Sequence, residues 1–374
     1  MPLSFRLAAF YFTFFLYAGL MVAYFPPYLA ARALGPAEIA WVLALPQMVR
    51  MFAPALWGWL ADRSGAQRAI VCFACAANAV CFALLPAAPG FAGIAALIAV
   101  ASLLSAAALP LVEAITLGAL ASQPGRYGPI RLWGSIGFIA AVLGGGAWLD
   151  FQEIDTLPTA LIIFSLGSLG AALLLPGRRF HVAPASFRLE LSREACALLA
   201  AGFCMAVAHG TLYAFLTLHL QEKGYSSTLI GLLWTLGVLA EIVVFLYLPA
   251  LFRRHSLSAI LMASCVVAVV RFSAIAWGAQ WLWLLVAAQL MHAATFAAFH
   301  ASAVAAVHRV FPGHAQGRGQ TLFSSLSYGA GGAAGALLAG WAWEASGPAA
   351  AFSLSALAGL AGLLFASALR RAGL

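Results

Sequence analysis

The sequence predicts an all-α membrane protein of about twelve transmembrane helices, arranged as two pseudo-symmetric six-helix bundles. Three observations carry this. Of 374 residues, 64% are hydrophobic and only 8% are charged, whereas soluble domains carry roughly a quarter charged residues. A soluble fold of this length would lack the polar side chains to cover its surface; lipid removes that conflict. The apolar residues also come in runs, each long enough to cross ~30 Å of hydrocarbon as a helix. Finally, the longest polar stretch, Pro176 to Glu194, divides these runs six and six, where a linker between bundle halves is expected.

In chain order the spans are expected at about residues 7–31, 38–60, 69–86, 91–121, 130–149, 157–175, 195–220, 227–250, 257–277, 281–307, 319–343 and 349–369. The first exceeds the roughly 7–15-residue core of a cleavable signal and reads as a span. Short connections make consecutive helices antiparallel neighbours and leave no room for a soluble domain. The expected organisation is therefore an N-terminal bundle over 1–176, a cytoplasmic linker over 177–194 and a C-terminal bundle over 195–374. Spans 5 and 11 carry glycine sets at corresponding places, Gly134, Gly137, Gly144, Gly145 and Gly146, and Gly329, Gly331, Gly332, Gly335 and Gly340. Small residues at such spacing allow helices to cross closely, which fits a repeated six-helix unit.

Arginine placement orients the chain. With the N-terminus inside, the cytoplasmic segments hold Arg6, Arg63, Arg68, Arg126, Arg131, Arg178, Arg179, Arg188, Arg193, Arg253, Arg254, Arg309, Arg318, Arg370 and Arg371, while the outer loops hold only Arg32 and Lys223. Both termini are expected in the cytoplasm of a cell with this protein in its inner (plasma) membrane. The net charge of +8 is thus topology information and not a nucleic-acid footprint, since the arginines lie in gaps between apolar runs and not along one face. The six cysteines fall in apolar runs. Cys72 and Cys75 have metal-like spacing, but no second pair or nearby histidine completes a site, so no metal and no cofactor are expected. The one lysine lies in Glu222-Lys223-Gly224, so no phosphate-binding loop is present and ATP hydrolysis by that route is excluded. Neither a catalytic constellation nor an appended receptor domain appears, and the chain reads as a non-enzyme.

Charged residues inside spans are costly and usually face a cavity or a partner. They are Arg50 in span 2, Glu113 in span 4, Glu241 in span 8 and Arg271 in span 9, with Arg131 just inside span 5. Glu113 and Arg131, on consecutive helices, can meet. Arg50 reads equally as a packing or a gating residue. Glu241 is a lone acid deep in its span; it either carries a proton or forms a static bridge with Arg271. Span 10 places His292, Thr295, Phe299 and His300 at i, i+3, i+7 and i+8, one helical face, and span 7 adds His209 and Tyr213. Imidazole titrates near neutral pH, so a histidine stripe beside a buried acid suits proton relay. After span 2 comes Gly58-Trp59-Leu60-Ala61-Asp62-Arg63-Ser64-Gly65-Ala66-Gln67-Arg68, in which Asp62 can pair with arginine as a gate, with Arg63 and Arg68 beside it. The equivalent gap after span 8, Leu251 to Ser256, lacks both acid and glycines.

The motif after span 2 resembles the loop signature of the major facilitator superfamily. Further matches are Ile39 to Pro46 with Arg50, Leu56 to Arg63, Ile130 to Phe138, His219 to Glu241 and His292 to His300. The chain is similar to the branch holding lactose permease and the 3-phenylpropionate transporters. The resemblance implies two six-helix bundles with spans 1, 4, 7 and 10 lining a cavity. It implies substrate contacts at Glu113, Arg131 and Phe138 and coupling and binding through Glu241, Arg271 and His292, while the polar-aromatic faces of spans 7 and 10 add His209, Tyr213, His292 and His300 as candidate substrate contacts. Where lactose permease carries a proton-bearing acid one turn after the histidine, this sequence has Thr295. The expected function is proton-coupled symport of a small organic solute such as an aromatic carboxylate. A sugar or nucleoside symporter is the alternative; a drug–proton antiporter fits less well, because span 5 lacks the Gly-Pro pair of such proteins. The expected partners are a small-molecule substrate, protons and the bilayer, with no nucleic acid and no ATP, and the chain is expected to act as a monomer.

Overall fold

The structure, a computed structural model, describes residues 1–177 and 191–371. The expected linker lies almost wholly outside the described residues, including Arg178, Arg179 and Arg188. Span 1 is α1 (Leu3–Ala31). Span 2 is a pair, α2 (Pro36–Arg50) and α3 (Ala53–Ser64), bent by 41° at the break. Then follow α4 (Gln67–Leu84), α5 (Gly90–Ser105) with α6 (Ala108–Ala119), α7 (Tyr127–Leu149) and α8 (Leu157–Leu173). The second half has α9 (Arg193–Glu222), α10 (Ser227–Arg254), α11 (Leu257–Gly278) and α12 (Leu282–Leu290). Span 10 continues from α12 through a π-helical turn, Ala293–Ala298, into α13 (Phe299–Val310). Span 11 is α14 (Gln316–Ser324), a second π turn, Ser325–Gly331, and α15 (Gly332–Ser346). Span 12 is α16 (Pro348–Arg371). Among the described residues eleven helices are long and apolar enough to cross a membrane, and the bent pair makes the twelfth.

Local chemistry explains several boundaries. Ser192 and Ser256 accept hydrogen bonds from the Ala195 and Ala259 amides at the starts of α9 and α11, which satisfies an open helix end. In the loop motif after span 2, Gly65 ends α3 with φ +64°, a left-handed conformation that favours glycine.

By contact the described residues fall into two units. One comprises those of Met1–Leu34, Phe52–Ala183 and Ser226–Gly231, the other those of Gly35–Met51, Pro184–Tyr225 and Leu232–Leu374. In the first unit α1 crosses α7 so closely that a Cβ at Gly137 would overlap the Phe12 carbonyl. In the second, α9 crosses α15 in the same way, with Gly335 against the Val207 carbonyl. Span 5 on span 1 thus repeats as span 11 on span 7, the relation that the matched glycine sets predict.

Two short elements depart from the expected division at the linker. By contact α2 belongs to the second unit, where the Ala40 methyl and the Pro36 carbonyl crowd Gly340 of α15. The first turn of α10 belongs to the first unit, where Gly231 abuts the Val142 carbonyl. There the Tyr24 hydroxyl lies 2.6 Å from the Val142 carbonyl oxygen and 3.3 Å from that of Ser227.

Asp150 fastens that turn. Its carboxylate accepts from the Ser227 and Thr228 amides at 2.7 and 3.0 Å. An acid just past the end of α7 faces the unfavourable pole of that helix, but it also sits at the favourable N-terminal pole of α10. Partial burial raises the Asp150 pKa, yet the hydrogen bonds from Thr228 and Ser227 outweigh this and hold it below the usual carboxylate range. A carboxyl depressed on folding stabilises above its unfolded pKa of about 4, and the contribution is lost as pH falls through the folded value. Cap removals cost about 0.5–2 kcal/mol, and exposure puts Asp150 at the low end. Asp150→Ala should therefore lower the thermal midpoint of the purified protein at pH 7, and the gap from wild type should close in strong acid. A gap that stays constant across the titration would rule the carboxylate out.

Candidate functional site

Three interruptions of helical regularity meet in the second unit. Span 2 breaks after Arg50, and the Met51 carbonyl at the break accepts from the Ser325 hydroxyl at 3.3 Å. Ser325 opens the π turn of span 11, whose Gly329 packs on Met51. Tyr328 of the same turn lies 2.5 Å from Nδ1 of His300, just after the π turn of span 10. Broken helices inside a membrane need partners for the freed backbone groups, and π turns concentrate at functional positions.

Beside this junction lies a buried polar cluster. Arg271 of α11 is fully buried and held entirely by neutral acceptors. Its Nε donates to the Ala288 carbonyl at 2.8 Å, Nη1 to Thr295 Oγ1 at 2.9 Å and Nη2 to Gln289 Oε1 at 3.1 Å. A fourth, longer contact joins Nη1 to His209 Nε2 at 3.4 Å. His209 Nδ1 lies 2.9 Å from the Met205 carbonyl oxygen, which only accepts. Nδ1 therefore carries the proton and Nε2 presents a lone pair, so His209 is neutral here.

Glu241 takes a different partner. His292 Nε2 is 2.7 Å from Glu241 Oε1, with both side chains largely buried. Of the two readings of Glu241, the static bridge to Arg271 is not formed here: three fixed acceptors from α12 and the adjoining π turn occupy the guanidinium, and His292 pairs with the acid. Gly237, one turn before Glu241 on α10, leaves room for the His292 ring, which a Cβ there would meet at 3.3 Å. The His292 Nδ1 atom is buried with no hydrogen-bond partner.

From His292 runs an aromatic ladder. Its ring stacks on Phe296 at 5.4 Å, and Phe296 on His300 at 6.2 Å. The predicted stripe needs correcting here: Phe296, and not Phe299, stands between the histidines. The π turn packs more than four residues into each turn, so i, i+4 and i+8 line up and Phe299 rotates into the core. His209 joins the ladder 5.7 Å from His292 and 6.1 Å from Tyr213, which stacks nearly flat on Trp234. Sequence reasoning misses Gln289, Tyr328, Trp234 and Gly237 as members of this cluster. Gln289, a polar side chain deep in an apolar helix, carries a usable signal; the others do not.

In the first unit Glu113 and Arg131 do meet, at 3.7 Å and partly exposed. The rings against Arg131 are Phe15 and Tyr11 of α1, at 4.5 and 5.3 Å from the guanidinium carbon, a favourable cation–π geometry. Phe138, expected to stack on substrate, is half-buried, and its backbone packs against Gly19 of α1. Asp62 is exposed and forms no ion pair with a described residue. The arginines of the same loop motif make other contacts, Arg63 with the Trp59 ring at 5.6 Å and Arg68 with the Leu175 carbonyl at 3.4 Å.

Residues 4–354 match the MFS_1 like family. This chain belongs to that family. It is a multi-pass membrane transporter of the major facilitator type and not an enzyme. It is 32% identical over 212 residues to the "Probable 3-phenylpropionic acid transporter" of Escherichia coli (strain K12), an alignment covering 52% of this chain and only 53% of that relative. It is 28% identical over 382 residues to the maltose permease of Geobacillus stearothermophilus, covering 97% and 95% of the two chains. Among solved structures, the nucleoside transporter NupG superposes with a TM-score of 0.79 at 20% identity, covering 99% of both chains. A mutant form of the peptide transporter POT gives 0.76 at 13% identity over 98% of this chain and 94% of its own.

Proposed function

We propose that this transporter is a proton-coupled symporter of a small aromatic carboxylate, of the 3-phenylpropionate kind, working by alternating access. The observation that carries the reading is the buried Glu241–His292 pair, 2.7 Å apart. A carboxylate and an imidazole at this distance share one proton readily. The nearby Arg271 is fixed by neutral groups, so the cluster is close to neutral when the pair holds no extra proton and positive when it does. A buried positive charge is costly, and an anionic substrate relieves it. Proton and carboxylate thus favour each other's binding, which is the thermodynamic content of symport.

The aromatic ladder and the relative named for 3-phenylpropionic acid support the substrate class. A sugar or nucleoside is the second reading, favoured by the Glu113–Arg131 pair and by the maltose permease and NupG similarities. In this proposal Asp62, Arg63 and Arg68 belong to a gate. In the same reading both termini are cytoplasmic, supported by the excess of arginine in alternate loops, and the protein acts as a monomer in the inner membrane.

Uptake of a labelled panel into proteoliposomes under an imposed inward proton gradient tests it. Accumulation of aromatic carboxylates above equilibrium, collapsed by a protonophore, is the expected outcome. Accumulation of sugars or nucleosides alone would transfer the case to the second reading, and uptake indifferent to the gradient would remove the coupling.

A further inference from the structure

Three arginines lie within the spans, and two are already engaged. Arg271 is fully buried with each donor nitrogen committed to a neutral acceptor. Arg131 pairs with Glu113 and lies over two aromatic rings. The third, Arg50, is exposed and makes no hydrogen bond or ion pair with a described residue. It is the last residue of α2, ~21 Å of helix from Pro36 at 1.5 Å per residue, which is well inside the bilayer. An unpaired guanidinium at that depth is expensive unless water or an anionic ligand reaches it.

Its surroundings indicate what kind of anion. The phenol groups of Tyr213 and Tyr328 are its electrostatic neighbours. Tyr213 lies flat on Trp234, and Tyr328 is bonded to His300 at the end of the aromatic ladder. Arg50 adjoins Met51, which is bonded to Ser325 and packed on Gly329 of the π turn that carries Tyr328, at the point where span 2 loses its helical hydrogen bonds.

We propose that Arg50 docks the carboxylate of the substrate, its fork taking both oxygens, while the aromatic part of the substrate lies against the half-buried Tyr213 ring. This assignment rests on the carboxylate reading above and goes beyond it by naming the anchor.

Equilibrium exchange in proteoliposomes, with no gradient imposed, tests the anchor apart from coupling. The probes are labelled 3-phenylpropionate and, as competitor, its uncharged isostere 3-phenylpropionamide. Losing one partner of a desolvated charge pair weakens binding by about a hundredfold or more. Arg50→Gln is expected to raise KM for the carboxylate by about that factor while changing inhibition by the amide less than about threefold. Arg50→Lys keeps a point charge without the fork and is expected to raise KM about tenfold; it serves as the readout if the glutamine variant inserts poorly. A KM near wild type in either inserted variant overturns the anchor. So does equal weakening of carboxylate and amide, which would mark Arg50 as structural. Exchange of no aromatic carboxylate by the wild type overturns the substrate reading itself, and the anchor falls with it.

Discussion

Glu241→Gln is expected to abolish uphill accumulation of substrate under a proton gradient while preserving exchange at equal concentrations on both sides. Glutamine keeps the size of the side chain and offers His292 an amide in place of the carboxylate, but it cannot bind or release a proton at any pH near neutrality. Thermodynamic coupling needs a site whose protonation differs between the two access states; without one, the cycle runs only downhill. A merely structural role for the pair makes a different forecast, in which exchange, accumulation and protein yield fall together. Surviving pH-driven accumulation in the glutamine variant would end the assignment and move it to His209, to His292 acting alone, or to a substrate that arrives protonated. The effect asked for is large, from strong accumulation to none, and is read with a counterflow control in the same vesicles.

The second large effect is expected from a substitution that looks mild. Arg271→Lys keeps the charge but not the fork. The guanidinium sends Nε to the Ala288 carbonyl, Nη2 to Gln289 and Nη1 to Thr295, three directions that one ammonium on a flexible stem does not cover. At least one buried acceptor loses its donor, and each such loss costs about 1–3 kcal/mol. We expect Arg271→Lys to lower stability by about 2–5 kcal/mol in thermal unfolding of the purified transporter. Transport should fall with it, since Thr295 and Gln289 would no longer hold span 10 beside His209. A lysine variant that unfolds and transports like wild type would show that only the charge at this place matters.

Much of the architecture is legible because a bilayer writes a simple rule into sequence. Every span must be apolar for its whole length and must end in polar residues, and the second-half boundaries follow that rule closely. The break in span 2 is not legible, because Met51 and Phe52 are as apolar as the helix around them. The site is half legible. Glu241, Arg271, His209 and His292 stand out as polar groups that lipid would reject, and the structure gathers them. Their pairing is hidden, because it depends on helix rotation. The π turn in span 10 takes Phe299 off the histidine face, where regular periodicity would keep it beside Phe296. Tyr328 lies 28 residues from His300, in a second π turn that has no hydropathy signature. Lone charges are readable because each has an energetic cost of its own; partnerships are not, because they belong to the packed chain.

The grouping of α2 with the second unit has a consequence for how the protein is made. Its close packing surface, Gly340 on α15, leaves the ribosome roughly 300 residues after Pro36, which at ~5–20 residues per second is on the order of tens of seconds. For that interval α2 sits in the membrane without α15, its main packing partner. Arg50 waits for Tyr213 through about half of that interval and for Tyr328 through nearly all of it. Biogenesis of this transporter therefore includes a dwell in which an apolar helix with a charged tip must be kept from wrong partners, so agents that shelter nascent spans should influence its yield more than agents that speed later folding.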